Sequence, residues 1–315
     1  MAVSTEGLPL KRACELDQEP PEERWLLAGL WARSAIGLIG GAPKCCKTWL
    51  ALDMAVSVAS ATPALGRFAC ECPGPALVYL AEDGLPQVRA RIEALCRERG
   101  ADIRSLDLSV ITAPILRLDL ASDQERLART IEVLRPRMLL LDPLVRLHRL
   151  DENSAAEISG LLGYIRDLQR RFDLAVVLVH HASKKQRSQP GQALRGSSDL
   201  HAIGDSNAYL ARDGQHIVLT IEHRAAPAPE PLRIELVADQ GGEATSLRVL
   251  SSPPQAHRPD LDQLLLDRLA PAGEPISRAA LRAELRVNNQ RLGEALERLE
   301  HNGRIQRTPQ GWLRR

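Results

Sequence analysis

The stretch Ile36-Gly37-Leu38-Ile39-Gly40-Gly41-Ala42-Pro43-Lys44-Cys45-Cys46-Lys47-Thr48 decides the reading of this chain. Ile36–Ile39 is a short apolar run, and residues 47–60 carry a helical pattern. A strand that turns through a glycine-opened loop into a helix aims backbone N–H groups and the helix N-terminus at one point, a setting made for phosphate. Gly41 followed at six and seven residues by Lys47 and Thr48 has the spacing of such a cradle. The loop Gly41, Ala42, Pro43, Lys44, Cys45, Cys46, Lys47 and Thr48 is therefore expected to hold a nucleotide's phosphates. Lys47 would neutralise the β- and γ-phosphates, and the Thr48 hydroxyl would ligate Mg²⁺. ATP and Mg²⁺ are the implied ligands. One position departs from the pattern: Cys46 stands where glycine normally precedes the lysine. A Cβ there crowds the β-phosphate or strains the turn, at a cost of ~1–3 kcal/mol. The opposing reading is a degenerate loop that no longer takes nucleotide.

Working outward, further short apolar runs occur at residues 76–80, 108–111, 138–141 and 175–179, each too short for a buried helix. Periodic segments at 84–99, 123–134 and 154–171 separate them. Strands alternating with helices predict βαβ units and an α/β sheet covered on both faces. Asp213-Gly214, between two apolar runs in 207–223, marks a hairpin. Leu232–Val237 adds a third antiparallel strand. The fold class expected is a RecA-like P-loop NTPase core with a mostly parallel sheet and antiparallel additions, followed by a small C-terminal winged helix-turn-helix. The boundaries are a polar, Pro/Glu-rich lead-in at 1–24, an ATPase domain at 25–250, a Ser/Pro linker at 251–259 and the small module at 260–315.

Composition narrows the class. With 41 basic against 40 acidic residues the net charge is +1, so any nucleic-acid contact must come from local patches. The chain has no apolar run of membrane-spanning length and no signal-peptide core, and a cytoplasmic protein with no membrane partner is expected. Its six cysteines all lie at or before residue 96, which reads as incidental thiol rather than a disulfide framework. Cys70-Glu71-Cys72 lacks the second Cys/His pair of a metal site.

Strand ends supply the remaining chemistry, because ligands of parallel α/β sheets bind outside the carboxyl ends of the strands. Residues 76–80 end in Ala81-Glu82-Asp83. Glu82 is assigned to orienting the attacking water, and Asp83, before Gly84-Leu85-Pro86, to capping the next helix. Leu139-Leu140-Leu141-Asp142 is the Walker B pattern, with Asp142 on the Mg²⁺ side. Pro143 follows it rather than a second carboxylate, which favours the RecA/DnaB class over AAA+. Residues 175–179 deliver His180-His181-Ala182-Ser183-Lys184; one histidine reports the γ-phosphate to the loop beyond, and His181 is preferred. That loop, residues 184–198, carries Lys184, Lys185, Arg187 and Arg195, and reads as a DNA-contacting segment whose order depends on nucleotide, against the plainer reading of a solvated surface loop.

Taken in order, Gly41-Ala42-Pro43-Lys44-x-x-Lys47-Thr48, Tyr79-Leu80-Ala81-Glu82-Asp83, Leu141-Asp142-Pro143-Leu144, His180-His181-Ala182-Ser183-Lys184 and Arg195-Gly196-Ser197-Ser198 resemble the RepA-like hexameric replicative helicases, RecA/DnaB-type ATPases of bacterial plasmids and mobile elements. The resemblance covers residues 25–240. It implies a homo-oligomer, a hexameric ring by preference, with ATP between subunits and single-stranded DNA at the core. It also implies an arginine supplied by the neighbour, which Arg91 matches by its spacing from Glu82. Beside this stands the simpler account of Arg89 and Arg91 as exposed helix charges near Glu93 and Glu98. Arg195 is similar to a second family arginine near the phosphates or the DNA.

The module at 260–315 lies outside the resemblance. Helices at 260–269, from Ser277 and at 290–302, then two short strands in 304–313, resemble a winged helix. Residues 258–315 hold eleven arginines and eight acidic residues, a balance of +3. Arg291 on the candidate recognition helix and Arg304 and Arg307 on the wing are the candidate contacts to duplex DNA. Glu294, Glu297 and Glu300 on the same helix keep protein contact open as the alternative. The sequence thus predicts a Mg²⁺-dependent ATPase acting on DNA, a ring-forming helicase-like motor or remodeller. The alternative is a nucleotide-gated DNA-binding regulator in which Cys46 slows hydrolysis.

Overall fold

The computed structural model describes residues 11–15, 24–152, 154–181, 200, 202–214, 216–250, 261–270, 274–285, 287 and 289–314. The chain divides into two compact units, Met1–Ser251 and Ser252–Arg315.

In the first unit the elements run β1 (Trp25–Leu27), β2 (Trp31–Ala32), β3 (Ile36–Gly41), α1 (Lys47–Ser60), β4 (Ala76–Leu80), α2 (Leu85–Arg99), β5 (Leu108–Val110) and α3 (Ala121–Leu134). There follow β6 (Met138–Asp142), α4 (Ala155–Phe172), β7 (Ala175–His181), β8 (Ser206–Asp213), β9 (His216–His223), β10 (Leu232–Ala238) and β11 (Ala244–Val249). Nine strands form one sheet in the order β11-β10-β9-β8-β3-β7-β6-β4-β5. From β8 to β5 every pairing is parallel, and β8 to β11 are joined antiparallel.

The alternation of side chains along a strand sorts the core onto two faces. Val78, Met138, Leu140, Val177 and Val179 pack on the face covered by α1 and α2. Leu77, Tyr79, Leu139, Leu141, Val176 and Leu178 pack on the other, with Leu127 and Ile131 of α3 and Ile158, Leu161 and Ile165 of α4. Continuous apolar runs are what two-sided burial requires, so β4, β6 and β7 fall where the sequence places them. Even Asp53 of α1 is buried, paired with Arg99 of α2, which pins the two helices together.

Two features of the sheet depart from expectation. The segment from 207, read as half of a hairpin, is also a parallel neighbour of β3, with Ile39, Gly40 and Gly41 opposite Ala208, Tyr209 and Leu210. Gly37 permits this: a Cβ there would lie 1.5 Å from the Ser206 carbonyl oxygen. The antiparallel extension also has a further strand, β11, paired with β10.

The second unit contains α5 (Leu261–Leu269), α6 (Arg278–Leu285), α7 (Asn289–His301) and the hairpin β12 (Ile305–Thr308) with β13 (Gly311–Arg314). Leu265, Leu266, Leu281, Leu292, Leu296 and Trp312 form its own core. Among the described residues no helix is long and apolar enough to cross a membrane.

Candidate active site

Strand β3 sits between β8 and β7, so the loop leaving its carboxyl end opens over the middle of the sheet. Gly41 closes the strand against Leu210, whose carbonyl oxygen would lie 2.5 Å from a Cβ at this position. Lys44 and Cys46 both adopt left-handed backbone, with φ of 63° and 60°. Cys46 is the N-cap of α1 and offers no side-chain bond to the helix. For a residue with a Cβ that conformation costs roughly 1–2 kcal/mol, which is the strain expected from a cysteine at a glycine position.

Lys47 and Thr48 open α1. The Lys47 ammonium donates to the carbonyl oxygens of Gly41 at 3.0 Å and Ala42 at 2.9 Å. It is buried, and that burial pulls its pKa below the usual lysine range while Asp142 and Glu82 oppose the shift. The Cys46 thiol is pushed up by burial, against the lowering influence of Arg212, Lys47 and Arg91.

Asp142 ends β6, two strands from β3 with β7 between them. The Thr48 hydroxyl lies near enough to favour its charged form, and the Asp142 Oδ2 is buried with no hydrogen-bond partner among the described residues. Burial raises its pKa to about 6, more than Thr48 and Lys47 lower it, and Asp83 and Glu82 add to the rise. A carboxylate oxygen buried without a donor, beside a hydroxyl and facing a lysine, fits a divalent cation that takes its other ligands from phosphate and water. Among the described residues there is no cluster of three or more His, Cys, Asp or Glu able to hold a metal alone. The residues present thus fit Mg²⁺ delivered with a nucleotide.

The rim is built differently. Glu82, just past β4, is exposed and accepts from Arg146 Nε at 2.8 Å. Arg146 lies in the 3-10 turn Leu144–Arg146 that follows Asp142. Asp83 does not cap α2 as expected, since the N-cap is Gly84 with no side-chain bond. It pairs instead with Arg91 at 2.6 Å, two turns into the helix, and Arg91 also lies 5.6 Å from the centre of the Trp49 ring. Arg89, one residue-pair away, pairs with Glu93 on the surface. Arg91 is therefore a held side chain close to the loop, not a solvated helix charge.

The two histidines separate. His180 is buried opposite Gly40, and His181 is half-buried opposite Gly41 at the cleft edge. Burial lowers the His180 pKa to about 4. Lys184, Lys185, Arg187 and Arg195 lie outside the described residues, as does the side chain of Arg291. Arg304 and Arg307 are exposed in the second unit, with Arg307 6.0 Å from the centre of the Trp312 ring. One site residue carried no signal in the sequence. Arg212, near the end of β8, donates to the Lys44 carbonyl oxygen at 3.0 Å and so reaches over the phosphate loop. A single arginine in a hairpin strand has no motif, and only the β8–β3 pairing brings it there.

A phosphate loop on the central strand, with the Asp142 strand one place removed, defines the first unit as a P-loop NTPase core of RecA-like design. Residues 4–187 match the AAA_25 family, described as an AAA domain, and the chain belongs to that family. Two solved structures share the fold. One is the ATPase domain of G40P, with TM-score 0.51 and 17% identity over 69% of this chain and 86% of that one. The other is a DnaB-like replicative helicase studied with primase, with TM-score 0.52 and 17% identity over 69% of this chain. This chain spans 58% of that helicase's length. At 17% identity both are likenesses of fold.

Proposed function

We propose that the chain is a Mg²⁺-dependent ATPase that acts on DNA as a ring-forming, helicase-like motor. The observation that carries the ATPase part of this reading is the buried, donor-less Oδ2 of Asp142 set against Thr48 and Lys47 at the head of α1; DNA action and the ring rest on the resemblance of the five motifs. Loop N–H groups and Lys47 bind the phosphates, while Thr48 and Asp142 would hold Mg²⁺, which would supply positive charge against the phosphates. Glu82, released from Arg146, accepts a proton from water as that water attacks the γ-phosphorus; the bond to the ADP oxygen breaks and phosphate leaves. His181 reads the γ-phosphate at the end of β7. Arg91, freed from Asp83, serves as the arginine that completes a neighbour's site, and Arg212 holds the loop of its own chain. A hexamer in the cytoplasm is the assembly proposed. Single-stranded DNA would meet Lys184, Lys185, Arg187 and Arg195. The second unit is read as a winged helix, with Arg291, Arg304 and Arg307 toward duplex DNA, and a plasmid or mobile element as the setting.

The left-handed Cys46 favours a second reading, a nucleotide-gated DNA-binding regulator with slow or no hydrolysis. Purified protein decides between them. The motor reading expects ATP turnover stimulated by single-stranded DNA and reduced by at least about a thousandfold in Lys47→Ala. ATP binding without turnover, with turnover appearing in Cys46→Gly, supports the regulator. A strict monomer by light scattering, with and without nucleotide, overturns the ring and the role of Arg91.

A further inference from the structure

Behind the cleft, three polar side chains meet in the core without belonging to the phosphate site. His148 follows the 3-10 turn after Asp142, Glu152 lies shortly before α4, and His180 is on β7. Glu152 Oε1 lies 3.5 Å from His148 Nε2, and its Oε2 lies 3.7 Å from His180 Nε2. The side chains are 1%, 14% and 2% exposed for His148, Glu152 and His180. The Leu150 N–H donates to His148 Nδ1 at 3.2 Å, so in the neutral ring the proton sits on Nε2 and faces the carboxylate. Neither Nε2 has a hydrogen-bond partner among the described residues, and the Glu152 carboxylate stands within ion-pair distance of each.

Their place in the sheet gives the cluster its use. The β6–β7 ladder ends at Leu141 opposite Leu178. Asp142 and His181 lie beyond that last pair, so backbone hydrogen bonds between these two strands do not set their separation. Glu152 bridges the open end. It reaches His148 on the segment leading from Asp142, and His180 next to His181. A largely covered carboxylate between two imidazoles favours keeping both rings close, because each ring N–H that faces it offsets part of the cost of taking its charge out of water.

We infer that Glu152 is a positioning residue that couples the segment after Asp142 to the tip of β7, fixing the spacing of Asp142 and His181 across the cleft. The inference rests on the ATPase reading for its effect on turnover, but not for the coupling itself. Glu152→Gln keeps the side chain's shape and removes its charge. It should lower kcat by about tenfold to a hundredfold, with KM changed by less than about threefold because the loop at 41–48 is untouched. The ring-nitrogen NMR signals of His148 and His180 should both move in Glu152→Gln, and His180→Asn should move those of His148. Glu152→Asp, which retains the charge, should recover part of kcat. Unmoved histidine signals, or moved signals with unchanged kcat, overturn the proposal. Should the wild-type protein show no turnover, the ATPase reading fails and the ring signals decide the coupling alone: movement of both supports it, movement of one or neither overturns it. Should Glu152→Gln not fold, His148→Asn read at His180 serves the same purpose.

Discussion

The floor of the cleft and its rim use the same residue types in opposite ways. On the floor, Lys47 and Asp142 are buried, with burial displacing both pKa values toward the neutral forms. On the rim, Glu82 and Arg146 are largely exposed in a surface pair, and Asp83 and Arg91 form a partly covered one. Exposed pairs are worth about 0–1 kcal/mol and exchange partners readily. Under the proposed function, groups that wait for substrate in one geometry are set in the core, and groups that change partner during a cycle are kept at the surface. The floor is preorganised and the rim is switchable.

This contrast is open to breaking at three points. The largest effect is expected at Glu82. Glu82→Gln should cost about 10²–10⁴ in turnover while changing folding stability by less than about 0.5 kcal/mol, measured by steady-state kinetics and thermal melts. A large loss of stability would show that the rim is structural after all.

Asp142 should behave the other way. Its folded pKa, about 6, lies above the free carboxylate value of 3.8. The stability of the protonated form is therefore present below about pH 4 and is lost as pH rises through about 6. Two units correspond to at most about 3 kcal/mol. Without Mg²⁺ and nucleotide, Asp142→Asn should raise the melting temperature at pH 7.5 and change it little at pH 4, while abolishing turnover. An equal rise at both pH values would mean that the charge is not the cause. Adding Mg²⁺ with nucleotide should stabilise the wild-type protein more than the variant.

Cys46→Gly sharpens the comparison from within the loop. Relief of the left-handed conformation should stabilise by about 1 kcal/mol, and turnover should rise. Unchanged stability would show that the loop already tolerates the cysteine.

Much of this was legible in the sequence, and the limits have physical causes. Strands β3, β4, β6 and β7 announce themselves because burial on both faces demands unbroken apolar runs. The chemistry at their ends follows from one geometric rule about parallel sheets, so Lys47, Thr48, Glu82, Asp142 and His181 meet around one cleft. The β8–β3 pairing joins residues about 170 positions apart (Ile39 to Ala208) and has no local signature, so Arg212 stayed hidden with it. Asp83 misled because Asp before a Gly-x-Pro helix start looks like a cap, while the choice was made eight residues later by Arg91. The role of Glu152 was likewise invisible, since it depends on where a ladder stops.

The crossover from β7 to β8 also has a mechanical consequence. It leaves at His181, beside the carboxyl end of β3, and returns at Asp205, beside its amino end. The return is anchored: the Ile36 N–H donates to Asp205, which sits between Arg166 and Arg224. A pull on the crossover therefore loads β3 in shear from both flanks, through six registered pairs with β7 and three with β8. Shear engages all the bonds of a ladder together, so the phosphate strand resists as a unit, and the shorter β8 ladder is where slip would begin.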